Sequence, residues 1–166
     1  MGTLAKEYFN VEEEYIFEVD ITPNRADALS HYGVARDLAA YYQFHGKSLK
    51  ASFPELKKLE KIGDLPINIS IKDQQACPRY SGITIKGVNV TESPEWLKKR
   101  LVAIGLVPIN NIVDVTNYVM FEIGQPLHAF DYSRCGGEIE VKSDLDGTDF
   151  ITLDGQQRTI QSGELM

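Results

Sequence analysis

The chain has 166 residues, 43% of them hydrophobic, with a formal net charge of -7 and a pI near 5.0. That length allows a respectable core in one domain, or in one domain plus a piece of another. The acidic balance counts against a general nucleic-acid binder, which carries a cationic footprint, and leaves room for a local contact to one strand end.

No apolar run approaches the roughly 18 residues that a membrane span needs. The opening "MGTLAKEYFNVEEE" has one lysine and several acids, so it lacks the pattern of a signal peptide and reads as an expression start placed inside a larger gene. Cys77 and Cys135 share no CxxC spacing and no nearby histidine pair. They read as reduced thiols of a cytoplasmic protein.

In chain order, "YIFEVDIT" (15–22) alternates apolar and acidic residues and predicts a strand. "TPNRAD" is a turn, in which Asn24 and Arg25 lock the helix that follows. That helix is predicted over about 27–42, with Val34, Leu38 and Tyr41 inward, and it ends at Gly46. Residues 47–64, "KSLKASFPELKKLEKIGD", are lysine-rich, aperiodic and broken by Pro54, and read as a connector between two bodies.

"LPINISI" predicts a strand with Ile67, Ile69 and Ile71 on its buried face. "YSGITIKGVNV" (80–90) predicts a second strand, bent at its glycines. Arg79 is expected at the surface beside a packed Tyr80. In "SPEWLKKRLVAIG" Ser93 is expected to cap a helix, Pro94 to open it and Gly105 to close it. Leu97, Leu101 and Ile104 make its inward stripe, and Trp96 is expected to pack on the sheet. A further helix is predicted over about 111–123, closed by Gly124. "GEIEVKS" and "FITLDGQQRTI" predict two more strands, the last bent into a hairpin at Asp154-Gly155. The class is α+β: a small helical piece, then a mixed sheet with packed helices.

The chemistry concentrates in "NNIVDVTNYVMFEIGQPLHAFD" (110–131). On a helix Val113, Thr116, Asn117 and Met120 share one stripe, so two polar side chains interrupt it. Ile112, Val115, Val119 and Ile123 form the neighbouring stripe, expected to face the core. Gly124-Gln125-Pro126 then turns the chain and delivers His128. Two readings stand. Asn117 bonds a neighbouring loop, Thr116 its own helix backbone and His128 is a satisfied half-buried imidazole, or the three orient a polar ligand. Asp114, three residues before Asn117, is expected on the helix surface or in a cap. No nucleophile elbow, paired-carboxylate spacing, phosphate loop or metal signature stands nearby.

The stretch "VDVTNYVMFEIGQPLHAFD" resembles the B3/B4 region of bacterial phenylalanine–tRNA ligase β subunits. The similarity runs upstream through "CPRYSGITIKGVNVTESPEWLKKRLVAIGLVPINNI", and "EVDITPNRADALSHYGVARDLAAYY" resembles part of the B1 region. The resemblance implies a partial B1-like region at 1–48, a linker at 49–61 and the N-terminal part of the B3/B4 editing domain at 62–166. It implies hydrolytic editing of tyrosine wrongly attached to tRNA(Phe). Its physical need is that an apolar pocket rejects an added hydroxyl by only about 10²-fold.

Carried over by motif, His128 of "HAFD" is the catalytic candidate, and Thr116 and Asn117 of "VTNY" are the substrate-binding candidates. His128 and Thr116 would hold the terminal ribose, the ester or the attacking water, and Asn117 the amino acid or a pocket wall. A glutamate and a glycine-rich loop that recognise the tyrosine hydroxyl lie downstream in the family, beyond "RTIQSGELM". The resemblance further implies no cofactor or metal in this segment, with ATP and magnesium held elsewhere in the parent enzyme. Its partners are the 3′ end of tRNA(Phe), the α subunit and the remaining β-subunit domains, and the expected location is the cytoplasm. The alternative is a non-catalytic module that docks tRNA or neighbouring domains.

Overall fold

A computed structural model describes residues 2–8, 15–58, 60, 63, 66–152 and 155–166. The architecture is α+β, with helices and small sheets of short strands. The chain forms two compact units, each made of two separate stretches of sequence: Met1–Leu56 with Val90–Ala129, and Lys57–Asn89 with Phe130–Met166.

The first unit is helical. It holds α1 (Ala5–Tyr8), a 3-10 turn at Ala26–Ala28, α2 (His31–Phe44), α3 (Glu95–Ala103) and α4 (Asn111–Ile123). Ser30 caps α2, its hydroxyl accepting from the Gly33 amide at 2.9 Å. The "TPNRAD" turn closes as expected, with the Arg25 amide donating to Thr22 O at 2.9 Å. Arg25 then grips Asp27 and reaches along α2 to Asp37 at 2.7 Å, which locks the turn to the helix. Phe53 meets the Tyr32 ring edge to face at 5.1 Å, so the described part of the connector touches α2.

The inward residues of α2 differ from the predicted stripe. Gly33 and Ala39 are buried, while Leu38 and Tyr41 are exposed. In α3 the expected Leu97 and Leu101 are each only 1% exposed. Its start is shifted: Pro94 occupies the cap position without a side-chain cap, and Ser93 lies one residue earlier, buried. Trp96 is exposed and packs edge to face on Tyr118 of α4 at 5.5 Å, correcting the expectation that it lies on the sheet.

The second unit carries two small sheets. Strand β1 (Asn68–Ile71) pairs in parallel with β2 (Glu138–Val141), and β3 (Asp149–Ile151) pairs antiparallel with β4 (Gln157–Thr159). A short helix, α5 (Tyr132–Cys135), precedes β2. Val141 and Ile160 are the buried apolar side chains described here. The hairpin forms with Gly155 at φ +78°, and Asp154 of the expected turn lies outside the described residues.

Two predicted strands are absent. Residues 15–22 and 80–90 are irregular, and Phe17, Ile83 and Ile85 stand 82%, 66% and 70% exposed. Both segments alternate correctly, but a strand needs a neighbour to take its N–H and C=O groups. Many other apolar side chains are uncovered as well, among them Tyr15, Phe44, Leu56 and Val107.

Asp73, just past β1, ties the ends of the parallel pair together. It accepts from the Ala76 amide at 2.9 Å, from the Gln75 amide at 3.1 Å and from the Ser143 hydroxyl, beyond β2, at 2.8 Å. The Ala76 amide first, then Ser143, hold this carboxyl below the usual carboxylate range. Its stabilising contribution is complete above the unfolded value near ~3.9 and is lost as pH falls through the lower folded value. Acid titration of the second unit, followed by amide exchange of β1 and β2, should therefore show a flatter acid limb in Asp73→Asn. An unchanged limb would remove Asp73 from the linkage.

Candidate functional site

The candidate residues lie on and just after α4, whose bounds are those read from the sequence. Asn110 caps it by accepting from the Ile112 and Val113 amides, each at 3.0 Å, which satisfies two of the orphan donors of the first turn. Gly124 ends it in the left-handed region at φ +79°, its amide donating to Met120 O at 2.8 Å. Glycine is needed there twice over. A side chain would be strained by that φ, and a Cβ would come within 3.3 Å of Leu29 O.

Both ends of α4 are fastened to other elements. At the C-terminal end the Nδ1 of His31, first residue of α2, donates to Phe121 O at 2.9 Å and satisfies one of the last carbonyls. At the N-terminal end the Asn111 amide donates to Thr91 O at 2.9 Å, and the Thr91 amide donates back to Asn111 Oδ1 at 3.1 Å. Asp114, 0% exposed, accepts from the Ser93 hydroxyl at 2.5 Å and from the Ile109 amide at 2.9 Å. The surface or capping role expected for Asp114 is thereby corrected, and so is the core-facing stripe, since Val115 is exposed. The side of α4 that carries Asp114 also carries Tyr118, one turn on, which Trp96 covers.

Thr116 and Asn117 are half-buried in the middle of this braced helix, and His128 is exposed four residues beyond Gly124. All three belong to the helical unit. The Thr116 hydroxyl donates to Val113 O at 2.7 Å, the local back-bond that threonine makes in helices. Tyr118 donates to Glu122 Oε1 at 3.3 Å, and burial first, then the Glu122 charge, push its phenol above the usual range, so it stays protonated.

A concavity of about 450 Å³ in the same unit is lined by residues of α2 with Lys50 and Ala51. Another of about 630 Å³, in the second unit, is lined by Phe150, Arg158 and the last residues. Neither includes Thr116, Asn117 or His128. Among the described residues no group of three His, Cys, Asp or Glu is placed to hold a metal ion, and no helix is long and apolar enough to cross a membrane.

Asp114 and Ser93 are what sequence reading missed. The available signal was an aspartate set among Ile112, Val113 and Val115, where a buried carboxylate demands donors from elsewhere in the chain.

Together these features define an α+β domain in which one capped helix, held at both ends, presents Thr116 and Asn117, and the segment after it carries His128. The B3/4 domain model matches residues 76–166, and the chain belongs to that family. Over nearly its whole length the chain is similar to phenylalanine–tRNA ligase β subunits. That of Bacteroides fragilis is 53% identical over 167 residues, covering 99% of this chain and 20% of that protein. That of Porphyromonas gingivalis is 52% identical over 167 residues, covering 100% and 20%. That of Aquifex aeolicus is 47% identical over 165 residues, covering 99% and 20%. The chain thus spans about a fifth of the length of these relatives.

Proposed function

We propose that the chain forms part of a phenylalanine–tRNA ligase β subunit and contributes to hydrolysis of tyrosine misattached to tRNA(Phe). Residues 1–48 would belong to the B1-like region, 49–61 to a linker and 62–166 to the editing domain. The observation that carries this reading is about 50% identity along the whole chain to such subunits, joined to a family match that contains every candidate residue. The extensive uncovered apolar surface fits a chain that packs against further parts of a larger subunit.

In this reading α4 supplies a fixed rail. Asn117 orients the amino acid or a wall of its pocket, while Thr116 and His128 hold the terminal ribose, the ester or the attacking water. The Thr116 hydroxyl keeps an acceptor lone pair while it donates to Val113 O, so it can still receive a ligand hydroxyl. ATP-dependent charging, with ATP and magnesium, belongs to the α subunit. Partners are the 3′ end of tRNA(Phe), the α subunit and the rest of the β subunit.

A second reading is a non-catalytic docking module for tRNA or for neighbouring domains. It is favoured by one observation: the Thr116 hydroxyl is already bonded within its own helix, donating to Val113 O at 2.7 Å.

The test is deacylation of tyrosyl-tRNA(Phe) by the complete two-subunit ligase. His128→Ala and Thr116→Ala should each slow hydrolysis by about a hundredfold, the lower end of what positioned polar groups contribute. Charging with phenylalanine should persist. Unchanged hydrolysis in both variants would leave the docking reading.

A further inference from the structure

We propose that Asp114 is a positioning residue, whose buried carboxylate, held by Ser93, fixes where α4 presents Thr116 and Asn117. This rests on the editing reading above and adds to it a residue pair outside the "VTNY" and "HAFD" motifs.

The geometry is specific. Asp114 is 0% and Ser93 4% exposed, and the hydroxyl donates to the carboxylate at 2.5 Å across 21 residues of sequence. The other oxygen accepts from the Ile109 amide at 2.9 Å. Among the described residues no cation pairs with the carboxylate. Its charge is met by these two donors and by its place in the first turn of α4, near the positive end of the helix dipole. Removing either donor leaves a buried anion short of a partner, so the arrangement has one satisfied geometry and few near neighbours.

That geometry sets the helix. Ser93 lies two residues before α3, which packs on α4 and carries the unit's most deeply buried leucines. The Asn111–Thr91 exchange holds the same two segments together one step away. Sliding or rotating α4 against the 91–93 segment breaks these bonds together. Thr116 and Asn117 follow Asp114 by two and three residues on a helix with regular caps, so an error at Asp114 is carried to them directly. Hydrolysis of a bound ester tolerates little of this, since a misplacement of about 1 Å costs up to about 10²-fold in rate.

The experiment uses the complete ligase and reads tyrosyl-tRNA(Phe) deacylation and phenylalanine charging in one preparation. The ratio of the two rates cancels the amount of folded protein, which a merely stabilising role would change. Ser93→Ala should lower this ratio about tenfold through kcat, with KM for the mischarged tRNA unchanged. Ser93→Thr, which keeps the hydroxyl, should restore it. Asp114→Asn retains an acceptor for Ile109 and trades the charge-assisted Ser93 bond for a weaker one, so it should shift the ratio the same way but less. It carries the test if Ser93→Ala does not assemble.

A parental ratio in Ser93→Ala and Asp114→Asn, while Thr116→Ala and His128→Ala lose editing, would overturn the positioning role and leave the editing reading standing. Failure of Ser93→Thr to restore the ratio would count equally against it. If Thr116→Ala and His128→Ala also keep the ratio, the editing reading falls and this inference falls with it.

Discussion

Leu101→Ala is expected to destabilise the α3–α4 pair by about 2–5 kcal/mol, the range for deleting a buried leucine side chain. The high end is favoured by how little else fills the same space. Leu97 and Leu101 are each 1% exposed, whereas the other buried apolar residues described in the helical unit, Ala28 and Ala39, are small. Ile104, the third member of the predicted stripe, is half-buried. The Leu101 carbonyl also accepts from the Ile104 and Leu106 amides at 3.2 and 2.9 Å, which turn the chain out of α3. A cavity there cannot close by sliding one helix without disturbing that turn. Hydrogen exchange should show faster opening of α3 and α4 amides, with β1–β2 protection as internal reference. Unaltered protection of α4 would mean that Ser93–Asp114 and Asn111–Thr91 hold the pair without the leucine.

The helices were legible because their signals are local. Asn110 before an apolar run and Gly124 after it gave the bounds of α4, since a cap bonds amides two or three residues away and a left-handed end needs glycine. The start of α3 was misread by one residue for an instructive reason. Ser93 has the chemistry of a cap, but its side chain is placed against a buried carboxylate 21 residues away, to which it donates, and the cap position falls to Pro94. A local rule lost to a tertiary partner.

Strands were legible only as potential. The alternation of "NISI" and "EIEV" is realised because the two segments find each other in parallel register, Asn68 opposite Glu138 through Ile71 opposite Val141. Residues 15–22 and 80–90 alternate as well and form no ladder, because pairing depends on a second strand that alternation cannot specify. Even so, 80–90 lies close to β1: a Cβ on Gly82 would stand 3.0 Å from Ile69 Cδ1. The candidate site divides the same way. The interrupted stripe and the turn after it singled out Thr116, Asn117 and His128, motif resemblance gave them roles, and the brace beneath them came from geometry.

The second large effect concerns Gly33, where helix propensity and packing oppose each other. In an open helical position Gly→Ala gains roughly 0.5–1 kcal/mol. In α2 a Cβ on Gly33 would meet Asp27 O at 2.4 Å, Ala28 Cα at 2.7 Å and Ala28 C at 2.9 Å. Each contact is with backbone of the 3-10 turn, so no side-chain rotation relieves it. The turn must move as a body. Arg25, whose guanidinium bridges Asp27 and Asp37, would be drawn off α2, and Ser30, whose hydroxyl caps the helix through the Gly33 amide, would lose its alignment. Overpacking of this kind costs about 1–3 kcal/mol. Gly33→Ala is therefore expected to lower stability, and Gly33→Val to lower it further, seen as faster exchange in the first turn of α2. The disturbance should reach α4, because the same helix start supplies the His31 bond to Phe121 O and abuts Gly124. A Gly33→Ala chain more stable than its parent would show that the turn yields freely and that α2 is not held by this contact.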